Sequence, residues 1–574
     1  MLLLEALETL LFDFDITSLI RLLIQNFFIF FWPCLGFYLF YRLVIFIKFV
    51  YLCNWQLRDV PVNPGIPLKL FGYFQNLGAY KRHEMIKKLI AAENEMRKNS
   101  KIAGNKKIPD GLTKVYRLPF LPNLVINSTN ACDKIFESTK FIDKTNNMQR
   151  VFNNILGPSI ITDKQEEWRV KRRILMKAMH NDLIKDYGSI INQYTAKMVN
   201  DIKNCQKRKI YFEDYEYNLN LRILAKNIFG QDLNVNDETS KKFIEIWWKT
   251  AEILELRLSK PLLSLQFLWK IYKFVKKIEV DKLKQDFTDV VGQMLKIRED
   301  IRKSEQTNCT NADTSEPRNL LIADKLLDFY QSNQLTYQQM INEAKIFFCA
   351  ALDTTSISLS ATIYALSHPK NRKVIEKLSN EIEHYFPNTD LQKFETNMIN
   401  YDPNNLQKIL DQMEYLDAVI KETLRLYGPA PVIGRKIIDR INFGTEENPF
   451  FIDGSLENPV AVTLFSGFIS AKDRNFEPER FLNQHQQEDS ISNRRKEINL
   501  NSAEFSPFSR GIRNCLGKKM ALSSMKIQLI HLVKNFDLKL VFESEHDEMV
   551  DRPCVMSMMY KFEKKPLIEF LKRK

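Results

Sequence analysis

Close to the C-terminus the chain reads FSRGIRNCLG, from Phe508 to Gly517. A cysteine on its own is most often a small buried hydrophobe. Here each neighbour has a use if the sulfur is a metal ligand. Gly511 permits the bulged backbone of a tight loop, and Gly517 lets the main chain come close to a flat cofactor. Arg513 can neutralise a carboxylate on that cofactor. Backbone amides around Cys515, with the start of the helix that follows, favour thiolate over thiol. Phe508 would cover the sulfur-facing side of the ring. A thiolate presented this way is the axial ligand that pushes electron density onto haem iron and favours O–O cleavage. Written F-x-x-G-x-R-x-C-x-G, the pattern arises by chance in roughly one chain of this length per few thousand.

Further upstream, AALDTT spans Ala350–Thr355. A threonine hydroxyl beside a carboxylate, Thr354 with Asp353, can hold water and relay protons. A threonine inside a helix can also bond back to a carbonyl and bend it. KETLRL places Glu422 and Arg425 on one helical face at i and i+3, a spacing that by itself describes an ordinary surface ion pair. Trp168 and Arg172 stand at i and i+4, so both side chains can reach one edge of a ligand. For Arg172 the flanking Lys171 and Arg173 make a solvated helix face an equally ordinary reading.

The decamer around Cys515 matches, without substitution, the haem-ligand loop of cytochrome P-450 enzymes. The chain resembles that family over nearly everything after Pro61. The resemblance implies a mainly α fold with a small β region, and haem b with its iron held by Cys515. It implies that Trp168, Arg172, Arg435 and Arg513 meet the haem propionates, and that Phe508, Gly511 and Gly517 shape the ligand loop. It assigns proton delivery to Asp353 and Thr354, and a buried bracing cluster to Glu422, Arg425 and Arg480 of FEPERF. The stretch WRVKRRILMKAMHNDLIKDY and the region after Pro261 look most like the membrane-anchored microsomal fatty-acid hydroxylase branch. Departures exist. Ala351 stands where glycine is usual, and Ala350 where some members carry a glutamate ester-linked to haem. Gly428 replaces a frequent proline, and Gly454–Lys472 lacks the usual proline–glycine turn and H-x-D-P element.

The implied reaction is a monooxygenation, one atom of O2 entering an apolar organic substrate such as a fatty acid, sterol or xenobiotic. Only 57 residues follow Gly517, so electrons are expected from a separate NADPH-cytochrome reductase. Lys171, Arg173, Lys518 and Lys519 are expected to face it as a basic docking surface. Two alternatives remain open: isomerase or dehydratase chemistry on a peroxide, and a non-enzymatic haem sensor or electron carrier. NADPH oxidation that needs both reductase and substrate separates them.

The elements that must position these residues read as follows. The run Leu22–Tyr41 has no formal charge over twenty residues, enough to cross a bilayer as a helix. Glu5, Glu8, Asp13 and Asp15 precede it and Arg42, Lys48 and Arg58 follow it, which argues for an uncleaved single-pass anchor with the catalytic part cytosolic, on the endoplasmic reticulum. Sequons at Asn127 and Asn308 should then stay unglycosylated. PVNPGIP, Pro61–Pro67, reads as a stiff hinge, dividing an anchor and linker (1–60) from a catalytic domain (61–574). Helical periodicity marks Lys164–Met179, Ser240–Leu256, Phe274–Arg302, Gln338–Ser367 and Asn371–Tyr385, and strand-like runs fall near Val115–Ile126 and Val432–Asp453. Ser304–Pro317 and Asn483–Asn501 have loop composition. Hydrophobic residues at 45% and charged residues at 27% describe a globular chain. The net charge of +13 suits membrane lipid or an acidic partner. Nucleic acid is not expected, because zinc-finger, basic-zipper and RNP-like patterns are lacking. Eight scattered cysteines without a C-x-x-C pair indicate neither a zinc site nor a disulfide framework.

Overall fold

Pro33 lies inside an otherwise unbroken helix, Ile16–Gln56 (α1). A proline is tolerated in a membrane helix where neighbouring groups re-satisfy the backbone it frees. At 41 residues the helix outruns the apolar span expected at Leu22–Tyr41. Among the described side chains, Leu35–Gln56 is long and apolar enough to cross a membrane by length and composition. Arg42 and Lys48 lie within that stretch, while most of the expected span Leu22–Tyr41 falls on residues whose side chains lie outside the described set. The long stems of Arg42 and Lys48 can snorkel along apolar surroundings while the charge reaches polar ground. The chain divides into two compact units, Met1–Arg58 and Asp59–Lys574.

This is a computed structural model. It describes residues 16–60, 109–118, 121–141, 143–179, 181–233, 238–259, 263, 266–309, 321–387, 403–470, 473–482, 499–543, 554–556 and 559–573. The hinge Pro61–Pro67 lies outside them, as does most of the polar tract Asn483–Asn501.

The second unit is mainly helical with small sheets. It opens with β1 (Leu112–Leu118) and β2 (Leu121–Ile126), an antiparallel pair, followed by α2 (Thr129–Phe136), α3 (Asn146–Ile155), α4 (Gln165–Ala178) and α5 (Asn181–Asn204). Then come β3 (Lys209–Tyr211), α6 (Phe212–Phe229), α7 (Glu238–Ser259), α8 (Gln266–Val275), α9 (Val280–Cys309) and α10 (Ile322–Gln331). The centre is α11 (Tyr337–Ser367), followed by α12 (Arg372–Tyr385), α13 (Pro403–Gln412) and α14 (Glu414–Tyr427). The C-terminal part carries β4 (Ile433–Ile437), β5 (Arg440–Asn442), β6 (Phe451–Asp453), β7 (Val460–Leu464), α15 (Lys518–Asn535), β8 (Phe536–Leu540), β9 (Cys554–Met556), β10 (Tyr560–Phe562) and β11 (Leu567–Lys572).

The expected helix over Phe274–Arg302 is two helices, α8 and α9, parted by a turn in which Lys277 takes φ +51°. No proline or glycine marks that break. Ser304–Pro317, expected as loop, is helical as far as Cys309, the end of α9, and residues 310–320 lie outside the described set. Within Gly454–Lys472 a regular strand forms despite the missing turn signal. There β7 pairs parallel with β2 and antiparallel with β4, giving the sheet order β1–β2–β7–β4.

Helix α11 has an apolar stretch long enough to cross a membrane, but 72% of it is buried inside the protein. It is a core helix, apolar on nearly every side because neighbours cover every side. Its start is fixed by a reciprocal cap: Gln339 N donates to Thr336 Oγ1 (3.2 Å) and Thr336 N to Gln339 Oε1 (2.9 Å). Helices α6, α10, α14 and α15 pack against it. Ala351 of α11 and Phe508 and Leu516 of the cysteine loop all pack on the same continuous hydrophobic core.

Candidate active site

The Cys515 loop is held at both ends by backbone geometry. Cys515 N donates to Phe508 O at 2.9 Å and Asn514 N to Gly511 O at 3.2 Å. Gly511 takes φ +68°, and a Cβ there would stand 1.8 Å from the carbonyl oxygen of Phe136 at the end of α2. Only glycine fits. Gly517 differs: its φ is −86°, and a Cβ would meet no atom within 4 Å. Protein packing does not demand a glycine there. Helix α15 begins directly after it.

Cys515 is an exposed residue of the loop. Desolvation by the surrounding protein pushes its thiol pKa up, while the Gly517 N–H and the charges of Arg172 and Lys518 pull it down. Those three groups would stabilise an anionic sulfur. Arg172 sits beside Cys515 because its two terminal nitrogens donate to Asn514, to the backbone O at 2.9 Å and to Oδ1 at 2.6 Å. Its partner is thus the loop itself. Phe508 is half-buried, with Lys518 Nζ 5.8 Å from its ring centre.

Arg513 is buried, its guanidinium stacked 4.6 Å over the ring of Trp168 on α4. It donates to the carbonyls of Ile160 (3.1 Å) and Asp163 (2.5 Å), while its Nε has no partner. Arg435 on β4 is 2% exposed and donates only to the neighbouring carbonyl of Gly434 (3.0 Å) among the described residues. Burial and the charge of Arg513 pull its pKa down to about 9. A third cation completes the group. Lys144 has its pKa held well below the usual lysine range by desolvation and then by Arg435 and Arg513. Asp143 lies 3.8 Å from Arg513. Three mutually repelling cations with so little negative charge between them fit a group carrying two carboxylates. Lys144 was not among the residues singled out by motif. It occupies an unremarkable FIDKTNN stretch, and only tertiary placement brings it beside Arg435.

Lys171 corrects an expectation. It does not face a docking partner: it is buried, 2.7 Å from Asp163 and 3.0 Å from Glu343 of α11. Glu343 also accepts from Ile160 N (3.1 Å), so this buried pair ties α4 to α11 and to the segment beneath Arg513. The exposed basic residues near the loop are Arg173, Lys518 and Lys519.

On α11, Thr354 Oγ donates back to Ala350 O at 2.8 Å, and Ser358 and Thr362 repeat the pattern toward Thr354 and Ser358 carbonyls. Asp353 points toward α6 and the β9–β10 hairpin. Burial raises its pKa to about 6, opposed by the charge of Lys561 and a hydrogen bond from Tyr217. Tyr217 in turn accepts from Trp247 Nε1 of α7 at 2.6 Å. Asp353 and Thr354 are thus half-buried sequence neighbours with different partners, the carboxyl meeting Tyr217 and Lys561 and the hydroxyl its own helix backbone.

Glu422, Arg425 and Arg480 converge as expected. Arg425 is bidentate to Glu422 (2.7 and 2.8 Å), and Arg480 Nε donates to the same carboxylate at 3.2 Å. Arg425 also donates to the carbonyls of Ser470, Asp473 and Asn475.

A family model described as Cytochrome P450 matches residues 114–564. Cytochrome P450 4c21 of Blattella germanica is 24% identical over 442 residues, covering 75% of this chain and 82% of that protein. "Cytochrome P450 4e5, mitochondrial" of Drosophila mettleri is 25% identical over 431 residues, covering 73% and 75%. Cytochrome P450 3A12 of Canis lupus familiaris is 27% identical over 417 residues, covering 68% and 73%.

Proposed function

The chain belongs to the cytochrome P450 family, whose members hold haem b through a cysteine thiolate, and on that premise we propose that Cys515 is that ligand in a monooxygenase acting on an apolar substrate. The observation that carries the assignment is the exposed Cys515 in a glycine-shaped loop next to Lys144, Arg435 and Arg513. Those three cations would hold the haem carboxylates, with Trp168 stacked beneath Arg513. Arg172 would position the thiolate through Asn514. Gly511 fixes the loop against α2, Gly517 leaves room for the ring, and Phe508 covers the sulfur. When bound, the haem supplies the redox centre at which one atom of O2 is inserted and the other reduced to water.

The chain's own contribution is proton management. Asp353, with a pKa raised to about 6, can hold a proton near neutral pH and release it. Thr354 gives its single hydrogen to Ala350 O, which leaves its oxygen lone pairs to accept from a water. Residues 1–60 would serve as anchor and linker and 61–574 as the catalytic domain, cytosolic and tethered to the endoplasmic reticulum by a single span. On α8 the side chains of Phe267, Ile271, Phe274 and Val275 are exposed beside Lys270 and Lys273, a composition suited to contact with lipid. Electrons would arrive from a separate NADPH-dependent reductase that docks on Arg173, Lys518 and Lys519.

The test is coupling. With reductase and any substrate that is turned over, Thr354→Ala should oxidise NADPH while yielding more hydrogen peroxide and less product per NADPH. Equal coupling in variant and parent removes Thr354 from the proton route. Asp353→Asn should slow turnover and carries a second signature. The folded pKa near 6 exceeds the unfolded value of about 4, so the native chain binds the extra proton between them. Stability from this group is present below about pH 4 and is lost as pH rises through about 6, a cost on the order of 3 kcal/mol above neutrality. The Asn variant should therefore melt higher than the parent at pH 8, with the gap closing toward pH 5. A gap that does not change with pH contradicts the assignment.

A further inference from the structure

Residues 157–163, between α3 and α4, form a short strut that joins Arg513 to α11. Arg513 donates to the carbonyls of Ile160 and Asp163. The same two residues are held from the α11 side. Ile160 N donates to both carboxylate oxygens of Glu343, at 3.1 and 3.2 Å. The Asp163 carboxylate lies 2.7 Å from Lys171 Nζ, and that ammonium lies 3.0 Å from Glu343. Asn342, the residue before Glu343, donates to the carbonyl of Pro158 at 3.1 Å. A Cβ at Gly157, where φ is +86°, would meet the Asn342 side chain at 2.5 Å. The strut therefore leans on one turn of α11.

Its charged supports are all enclosed: Glu343 is 0% exposed, Asp163 4% and Lys171 6%. Two carboxylates share one ammonium, so one negative charge is in excess and one carboxyl is disposed to take a proton. Burial raises the Glu343 pKa to about 7, against the pull of Lys171 and the Ile160 N–H and with a push from Asp163. Burial raises Asp163 as well, opposed by Lys171 and Arg513 and assisted by Glu167. The charges acting on Arg513 are Asp143, Asp163 and Arg172. Glu343 thus reaches Arg513 through the peptide of Ile160 and not through its field.

We propose that Glu343 is a positioning residue for haem: ionised, it fixes the strut and so aims Arg513 at a haem carboxylate, and protonated, it loosens both. A neutral carboxyl bonds an ammonium and a peptide N–H more weakly than a carboxylate does. The inference rests on the haem reading above and adds to it a residue that acts through Ile160.

The experiment follows haem transfer from the full-length loaded protein to excess apomyoglobin at pH 6, 7 and 8, for the parent and Glu343→Gln. The parent should release haem about tenfold faster at pH 6 than at pH 8, the low end of what a contact supporting a cofactor ligand is worth. Glu343→Gln should release at the parent's pH 6 rate throughout. Protonation of Cys515 or of the haem carboxylates would persist in the variant, so a flat profile singles out Glu343. The substitution should not unfold the chain. The folded pKa near 7 exceeds the unfolded value of about 4, so stability from this group is present below about pH 4 and lost as pH rises through about 7. A neutral glutamine should therefore melt no lower than the parent at pH 8. If the variant melts lower there, Glu343 is a structural brace and the proposal is overturned. It is overturned equally by a variant that keeps the parent's pH profile, or by a parent that releases haem at one rate from pH 6 to pH 8. If the parent takes up no haem at all, the haem reading fails first.

Discussion

Arg425→Ala should destabilise the protein by about 3–5 kcal/mol, the cost of leaving one partner of a buried ion pair uncompensated. Glu422 is 0% exposed and Arg425 2%. Removing the guanidinium strands that carboxylate, which would keep only the weaker 3.2 Å bond from Arg480 and the backbone N–H of Glu477. It also releases the carbonyls of Ser470, Asp473 and Asn475, so the segment between β7 and the Glu479–Arg480 turn loses three of its ties to α14. Against a typical total stability of about 5–15 kcal/mol, such a loss should prevent folded, haem-loaded protein from accumulating. Arg425→Lys should rescue little, because one ammonium cannot span the carboxylate and three carbonyls at once. Urea unfolding of the full chain measures this directly. A change within about 1 kcal/mol would mean the cluster behaves as a surface pair.

The parts of this account that were legible in the sequence are those where several neighbouring residue types are constrained together. The Cys515 loop is the clearest, because Phe508, Gly511, Arg513 and Gly517 each have a chemical use at a fixed offset. Single charges were not legible in this way. Lys171, Arg172 and Arg173 are consecutive on α4 and point in three directions about 100° apart, so spacing alone cannot say which turns inward. The deciding partner of Lys171 is Glu343, 172 residues away. Lys144 is hidden for the same reason, its role arising only when β4 brings Arg435 beside it. The division of α8 from α9 carries no glycine or proline. Strand β7 lacks a turn signal but is specified by its two partners, β2 and β4. Asp353 and Thr354 read as one unit in sequence, yet one turn of α11 sends the carboxyl toward Tyr217 and Lys561 while the hydroxyl stays on its own backbone.

Cys515→Ala should abolish monooxygenation outright. Alanine keeps the loop backbone, since neither the Cys515 N to Phe508 O bond nor the positive φ of Gly511 involves the sulfur. Lys144, Arg435, Arg513 and Trp168 are untouched, so the carboxylate-binding end of the cofactor site should persist and folding stability should change little. What disappears is the one group able to supply a thiolate from this loop, and with it the electron donation that favours O–O cleavage. The most direct measurement is the absorption spectrum of the reduced, carbon monoxide-treated protein. The parent should show the red-shifted Soret band typical of thiolate ligation, and Cys515→Ala should lose it while remaining folded. A variant that keeps the red-shifted band would contradict the assignment of Cys515 as the iron ligand.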